Sequence, residues 1–220
     1  MASRSYNRND DGVDMLPLAR GELDPSVPER PARAAVIWPS IMFMIVFIVL
    51  CGLVYPTVAT FAGGALFPKQ AEGSLIRQGD RIVGSSLVAQ PFAGDGYFVP
   101  RPSSSKYDPM SMAGSNMAPS NPDLRKLYSD RAAEVAKREG IEAINVPADL
   151  VAASGSSIDP HISPAAAAIQ VARIARARGM APAEVERLVA EHTQEPTFGA
   201  LGQSRVNVLE LNLALDAAKH

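Results

Sequence analysis

The densest group of side chains capable of chemistry lies in one short polar stretch, residues 154–163, which reads Ser-Gly-Ser-Ser-Ile-Asp-Pro-His-Ile-Ser. Serine, histidine and aspartate are the residue types of a hydrolytic triad, in which a base and an orienting carboxylate activate a nucleophile. The candidate base is His161 and the candidate carboxylate is Asp159. Because neighbours in one loop rarely converge as a triad requires, the pattern favours a hydrogen-bonded connector in which Ser163 caps a helix. A hydrolase using His161, Asp159 and a nearby serine stays open as the alternative.

Other reactive or charged side chains give weaker signals. Arg173, Arg176 and Arg178 follow a helical spacing and could bind phosphate, but a solvated helix face is the simpler interpretation. His192 lies on an apolar helical stripe, which is typical of a partly buried core residue rather than a metal ligand. The histidines lack the spacing of a zinc site and Cys51 is the only cysteine, so no metal centre and no intramolecular disulfide are predicted.

Composition excludes further classes of protein. The 220 residues carry a formal net charge of −2 without a basic run, which gives no reason to expect nucleic acid as a partner. The sequence contains no phosphate-binding P-loop, no GxSxG elbow and no dinucleotide-binding glycine pattern. The residues themselves therefore predict no catalytic group and no bound cofactor.

A stretch without charged residues, 34–68, dominates the N-terminal part of the chain, and residues 41–50 are apolar at every position. A helix that is apolar all round belongs in lipid or in a large core, and about twenty residues span roughly 30 Å of bilayer. Trp38 and Tyr55 mark the two ends, as interfacial aromatic residues do. Since 33 residues precede a core longer than that of a signal peptide, we predict an uncleaved transmembrane helix over residues 34–56.

The rest of the chain is organised around this anchor, and the predicted fold class is α+β: one transmembrane helix and one soluble domain. Residues 1–33 are predicted to be a disordered cytoplasmic segment, residues 57–69 an interfacial linker, and residues 70–220 an extracytoplasmic α+β domain. Arg20, Arg30 and Arg33 precede the span, whereas only Lys69 follows it closely. This excess of basic residues predicts a cytoplasmic N-terminus. The apolar span itself predicts membrane lipid as its surroundings.

Within the domain, turn and capping residues predict the order of elements. Strands near 74–77 and 81–83 form a hairpin, and residues 86–88 are a candidate third strand. The segment 206–215 also fits a strand by its alternation, but a capping-box pattern favours a helix. The predicted helices begin at prolines or capping residues and end at glycines, and they run from Pro122 to Gly140, Pro147 towards Gly155, Pro164 to Gly179, Pro182 past His192, and Leu211 to Ala218.

The long segment Pro91 to Pro122 consists mostly of turn residues, and a loop of this length in a compact domain is more often functional than idle. Tyr97 and Phe98 offer large contact area and Arg101 a directional charged donor, so we expect these three residues to dock onto a partner. The alternative is that both aromatic rings fill the core of the domain itself.

The order of these motifs resembles the C subunit of the Kdp-type potassium-transporting ATPases, a family of small bacterial single-span membrane proteins. The resemblance covers roughly residues 40–217. The motifs that carry it are Val54–Pro56, Gly73–Ile76, Gly84–Leu87, Phe92–Phe98, Arg101–Ser103, Gly114–Asn116, Ser120–Pro122, Ser154–Gly155, Asp159–Ser163 and Val206–Asn212.

The resemblance implies a non-catalytic accessory subunit of a high-affinity potassium-uptake complex. Its expected partners are a channel-like potassium-translocating subunit and a P-type ATPase subunit, and it implies a catalytic chaperone that raises the ATP affinity of the pump. It further implies an ATP contact at Gln194. The charge distribution places Gln194 outside the cytoplasm, and a single span cannot present one domain on both sides. One span also cannot enclose an ion pathway, so selectivity must belong to a partner.

Overall fold

The computed structural model of this chain describes residues 33–218, which form two compact units that divide between Ala59 and Thr60. The segment 1–33, predicted to be disordered, lies outside the described residues except for Arg33. An apolar helix occupies the described part of the first unit and ends at Leu66, within the second, which otherwise consists of helices and short antiparallel sheets. The predicted α+β class with a single candidate membrane span is therefore confirmed.

The apolar helix is built from α1 (Arg33–Val49), a π-helical turn (Leu50–Val54) and α2 (Tyr55–Leu66). We predicted a helix end near Pro56, but the helix continues to Leu66. Proline lacks an N–H and its ring clashes with the carbonyl four residues earlier. The widened turn directly before Pro56 relaxes that position, as π-bulges do inside helices. Residues 57–66, predicted to be an interfacial linker, are thus helical.

Every side chain of this helix whose burial is described is exposed or nearly so. The stretch Ala35–Leu66 has 32 residues and is the one helix of the described chain that is long and apolar enough to cross a membrane. Its length of about 48 Å exceeds the roughly 30 Å hydrocarbon core of a bilayer. Since no described residue covers the apolar surface, lipid or another protein must do so.

A two-stranded antiparallel hairpin opens the domain, as predicted. Strands β1 (Leu75–Gln78) and β2 (Arg81–Ser85) pair with Gln78 opposite Arg81, and a register shift falls between Ile76 and Arg77. Gly79, with φ of 59°, supplies the left-handed conformation that the tight turn requires. The candidate third strand at 86–88 is wrong, because these residues form a turn after β2.

The helices of the domain begin and end largely where local signals place them. The side chain of Asn121 accepts a hydrogen bond from the backbone N–H of Asp123 at 2.9 Å, and Gly140 ends that helix in the left-handed conformation. The helices after the hairpin are α4 (Pro122–Glu139), α5 (Pro164–Ala168), α6 (Val171–Arg178), α7 (Pro182–Glu191) and α8 (Val208–Ala218), and α3 (Pro68–Ala71) precedes it.

The single helix predicted from Pro164 to Gly179 is interrupted between α5 and α6. The side-chain amide of Gln170 donates to the carbonyl of Ala166 at 3.1 Å, while the backbone N–H of Gln170 bonds to Ala167 instead. A side chain that competes for an i−4 carbonyl disturbs the helical ladder. The break therefore follows from the way in which Gln170 is used.

A three-stranded antiparallel sheet in the order β3-β5-β4 supports these helices. Its strands are β3 (His161–Ile162), β4 (Thr193–Gln194) and β5 (Arg205–Asn207), and β5 leads directly into α8. The strand and helix interpretations of this last segment thus each hold for a part of it. Asn207 stands at the junction, and its side chain accepts from the N–H of Glu210 at 3.2 Å, which confirms the capping pattern. One continuous core joins α4 to α8, the sheet and Phe98.

Candidate functional site

The segment 97–101 of the long loop is held by side chains rather than by a neighbouring strand. The amide of Asn212 accepts from the N–H of Phe98 at 2.8 Å and donates to the carbonyl of the same residue at 2.9 Å. In the same way, Gln170 accepts from the N–H of Val99 at 2.9 Å and donates to its carbonyl at 3.3 Å. A buried backbone needs partners for both of its polar groups. Two fully buried carboxamides supply them here.

Arg173 completes this clamp from α6. Its Nε lies 2.9 and 3.1 Å from the two carboxylate oxygens of Glu139, whose side chain is fully buried. Its Nη1 donates to the carbonyls of Asp95 and Tyr97, and its Nη2 donates to Gln170 Oε1 at 3.0 Å. Charge-assisted hydrogen bonds in a buried site are strong and directional. One guanidinium therefore links α4, α6 and the loop.

A second guanidinium fixes the edge of the loop. Arg178 lies 4.7 Å from the centre of the Tyr97 ring, and its Nη2 donates to Asp216 at 2.8 Å. It also donates through Nε to the carbonyl of Gly96 and through Nη1 to the carbonyl of Leu215 at 3.1 Å. The prediction of a solvated arginine face on α6 is thus wrong for Arg173 and Arg178. It holds for Arg176, whose side chain is exposed.

The three residues expected to dock onto a partner occupy different environments. We expected the Phe98 side chain to dock onto a partner. This expectation is corrected, because the ring is fully buried in the core cluster of the domain itself. Tyr97 is half-buried between Arg178 and Phe92, whose ring centre lies 5.6 Å away. Docking by Tyr97 and by the half-buried Arg101 stays a prediction.

Arg101 lines a polar cleft of about 550 Å³ that lies beside strands β3 and β5. Its Nη1 lies 3.2 Å from Asp159, and the other oxygen of that carboxylate lies 3.3 Å from His161 Nδ1. The cleft thus brings together three residues that sequence reasoning had assigned to two separate roles. The charged and hydroxyl side chains lining it are those of Arg101, Asp149, Asp159, His161, Ser163, Ser204 and Arg205.

The electrostatics of the cleft centre on Asp159. Partial burial raises the pKa of this carboxyl, but hydrogen bonds from the ring and backbone of His161, with the charges of His161 and Arg101, outweigh burial and lower the pKa. Asp159 is therefore ionised at neutral pH and holds both partners in place.

Burial also raises the pKa of Tyr107, against the opposing charges of Arg131 and Arg138. The neutral Tyr107 hydroxyl donates to the carbonyl of Arg101 at 2.9 Å.

The cleft pairs a histidine with a carboxylate but brings no hydroxyl nucleophile to them. Across residues 33–218, no serine hydroxyl lies within hydrogen-bond distance of the His161 ring. Ser163 Oγ caps α5 by accepting from Ala166 at 3.0 Å, and it bonds to Asp149 at 3.2 Å. The predicted capping role of Ser163 is confirmed. A hydroxyl in use as a helix cap is not poised for attack as part of a triad, because its only side-chain partner is Asp149 and no histidine is in contact with it.

Gln194, the exposed residue of strand β4, lies at the rim of this region. Its side-chain oxygen accepts from Nε of Arg205, which lines the cleft, at 3.2 Å. His192 precedes the strand as a half-buried residue whose Nδ1 lies 2.9 Å from the carbonyl of Leu188, consistent with a core position. Groups of three or more potential metal-ligating side chains are absent from the described part of the chain.

Three residues do most to fix the loop, namely Gln170, Arg173 and Asn212. Sequence reasoning missed Gln170 and Asn212, and it placed Arg173 on a solvated face. A signal was present, because Gln170 and Arg173 fall on the same helical stripe as the buried Ala166 and Ile174. A polar side chain on an apolar stripe must find a buried partner. Its position marks it as a candidate, but only the fold identifies the partner.

Comparison with known proteins agrees with the motifs. The sequence model of the KdpC family, described as the c chain of the K⁺-transporting ATPase, matches residues 37–217. A potassium-transporting ATPase KdpC subunit from Shewanella putrefaciens is 52% identical over 172 residues, covering 78% of this chain and 86% of the relative. The KdpC subunit from Geotalea uraniireducens is 51% identical over 184 residues, covering 82% of this chain and 96% of the relative. The match includes the apolar helix, the clamped loop and the cleft, and the chain therefore belongs to the KdpC family, the c chain of the K⁺-transporting ATPases.

Proposed function

We propose that this chain is a single-pass accessory subunit that anchors and stabilises a potassium-transporting ATPase complex, without chemistry of its own. One observation carries the proposal. The part of the chain that matches the family, residues 37–217, contains nearly all of a long apolar helix, and no described residue covers the surface of that helix. An uncovered span of this kind is suited to lipid and to helices of partner subunits. The expected partners are the channel-like subunit and the P-type ATPase subunit.

A non-catalytic role is supported by the cleft. His161 and Asp159 form a pair, but within the described residues no hydroxyl contacts the imidazole ring or the carboxylate, and the carboxylate of Asp159 also pairs with Arg101. The paired charges suit a structural or recognition role. Any hydrolytic turnover by the purified full chain that is abolished by replacing His161 would favour the hydrolase alternative.

Val46→Arg is expected to lower both membrane retention and recovery of the assembled complex. Arginine near the centre of a span costs about 2.5–3.5 kcal/mol on the insertion scale, and the Val46 side chain is exposed along the helix. The measurement is the amount of chain in the membrane fraction and the amount of ATPase subunits that co-purify with it. Val46→Leu is the matched control and is expected to behave as wild type. Full assembly of the Val46→Arg chain would contradict the anchoring role.

We further propose that the domain lies outside the cytoplasm, since basic residues precede the span in excess. A reporter that is active only in the cytoplasm, fused after Ala217, is expected to stay inactive, whereas the same reporter fused at the N-terminus should be active. The two fusions control for expression.

This topology decides how the chain acts on ATP affinity. If the domain is outside, it raises the ATP affinity of the pump only indirectly, through the assembled complex. Direct contact with ATP through Gln194, beside Arg205, requires the domain to face the cytoplasm. An active reporter after Ala217 would therefore overturn the topology and favour direct contact.

A further inference from the structure

The hairpin that joins β4 to β5 carries two large apolar side chains at its tip. Thr197 and Leu201 exchange two backbone hydrogen bonds of 2.9 Å, and Ala200 N–H bonds to the carbonyl of Thr197 at 3.3 Å. This tight turn projects Phe198, which is 92% exposed, and Leu201, which is 62% exposed. The hydrogen bonds fix the backbone of the turn from which the phenyl ring projects.

Phe198 occupies a backbone conformation that phenylalanine rarely adopts. Its φ is 55° and that of Gly199 is 73°, so both central residues of the turn are left-handed. Glycine, asparagine and aspartate meet this requirement at lower cost than a bulky residue. An exposed aromatic ring in a strained turn gains nothing from packing within the described domain. The local cost and the exposure together point to a use for the ring outside this chain.

A shallow groove adjoins the hairpin and shares two residues with it, Thr193 and Glu195. The groove has a volume of about 380 Å³ and is lined by apolar side chains of α5, α6 and α7, with two carboxylates among them. Glu195 of the hairpin is one of these carboxylates and Glu186 of α7 is the other. The tip and the groove therefore form one surface with a projecting aromatic, an apolar depression and acidic side chains. We call this surface the hairpin face; it consists of Phe198, Leu201 and the residues Pro164, Ala168, Val189, Glu186 and Glu195.

The charge of the hairpin face selects the class of partner. From Thr193 to Ser204, Glu195 is the only charged residue. Binding to an anionic bilayer uses Lys and Arg around the inserting apolar group. The one basic residue of this hairpin is Arg205 in β5, away from the tip, and its Nε donates to Gln194 at 3.2 Å. A fixed turn also suits a shaped protein pocket, since its preorganised backbone loses little entropy on docking.

We propose that the hairpin face docks onto another subunit of the same ATPase complex. Phe198 enters an apolar pocket of that subunit, and Lys or Arg side chains around the pocket pair with Glu186 and Glu195. The inference rests on the proposed accessory function and specifies which surface performs it.

The test uses Phe198→Asn in the full chain, expressed with the other subunits and purified in mild detergent. Asparagine suits the left-handed turn, so the melting temperature of the purified chain should stay the same or rise. Recovery of the ATPase subunits should fall about tenfold or more, as for a buried aromatic anchor. Glu186→Lys should lower recovery as well. Ile144→Asn, which changes another highly exposed apolar residue (86%), should have no effect.

The possible outcomes distinguish failure of this inference from failure of the proposed function on which it rests. If wild type and Phe198→Asn recover the subunits equally, the hairpin face is not the docking surface, although the accessory function stands. If wild type recovers no ATPase subunit, the proposed function itself fails. Binding of the purified chain to phosphatidylglycerol vesicles that is lost in Phe198→Asn would overturn the protein partner in favour of the membrane.

Discussion

Replacing Arg173 with alanine is expected to destabilise the domain by about 3 kcal/mol, the lower end of the range for breaking a buried ion pair from one side. The reason is that Glu139, whose side chain is fully buried, would lose its ion pair with this guanidinium and keep only the one with Arg138 at 2.7 Å. The carbonyls of Asp95 and Tyr97 would lose donors as well, which frees the start of the clamped loop. Chemical unfolding of the full chain in detergent, followed by circular dichroism, measures the loss.

The matched control lies on the same helix. Arg176 is exposed, and Arg176→Ala should change the free energy of unfolding by no more than about 0.5 kcal/mol, as surface substitutions usually do. Arg173→Lys should recover only a part of the lost stability, because a single ammonium cannot reproduce the forked pattern of donors. Equal stability of the Arg173→Ala and Arg176→Ala chains would show that the clamp contributes nothing.

Phe98→Ala is expected to cost about 3–5 kcal/mol by removing a fully buried ring and leaving a cavity. Phe98 packs in the core cluster with residues such as Ile174 and Leu215. For a domain of this size, that loss corresponds to a fall in melting temperature of at least roughly 6 °C. Thermal unfolding of the purified full chain provides the measurement.

The same residue type at a different depth gives the control for this experiment. Phe198→Ala should leave the melting temperature close to that of wild type, because the Phe198 ring is 92% exposed. The pair thus separates a phenylalanine that the fold requires from one that the fold leaves uncovered. If Phe98→Ala keeps the wild-type melting temperature but loses the ATPase subunits, Phe98 acts as a docking residue and the packing interpretation is wrong.

Much of the domain could be predicted from the sequence because its signals are local. Proline and capping residues mark where α4, α5 and α7 begin, and Gly140 and Gly179 mark helix ends, since these effects act within one turn. The hairpin at Gly79 and the uncharged span are signals of the same kind. The family motifs also lie within short stretches, and their order along the chain was sufficient to reveal the relationship.

Tertiary structure alone decided which polar residues are buried and with what. Arg173 and Arg176 are the same residue type on one helix, yet Arg173 meets Glu139, which lies 34 positions earlier, while Arg176 meets solvent. Phe98 is held by Asn212 across 114 positions, so nothing near Phe98 in the sequence reveals that the domain takes up its ring. The cleft likewise needs the loop, the sheet and β5 to come together before Arg101, Asp159 and Arg205 share one space. Local propensity and short-range spacing determine elements of structure, whereas burial and pairing depend on which distant elements pack against each other.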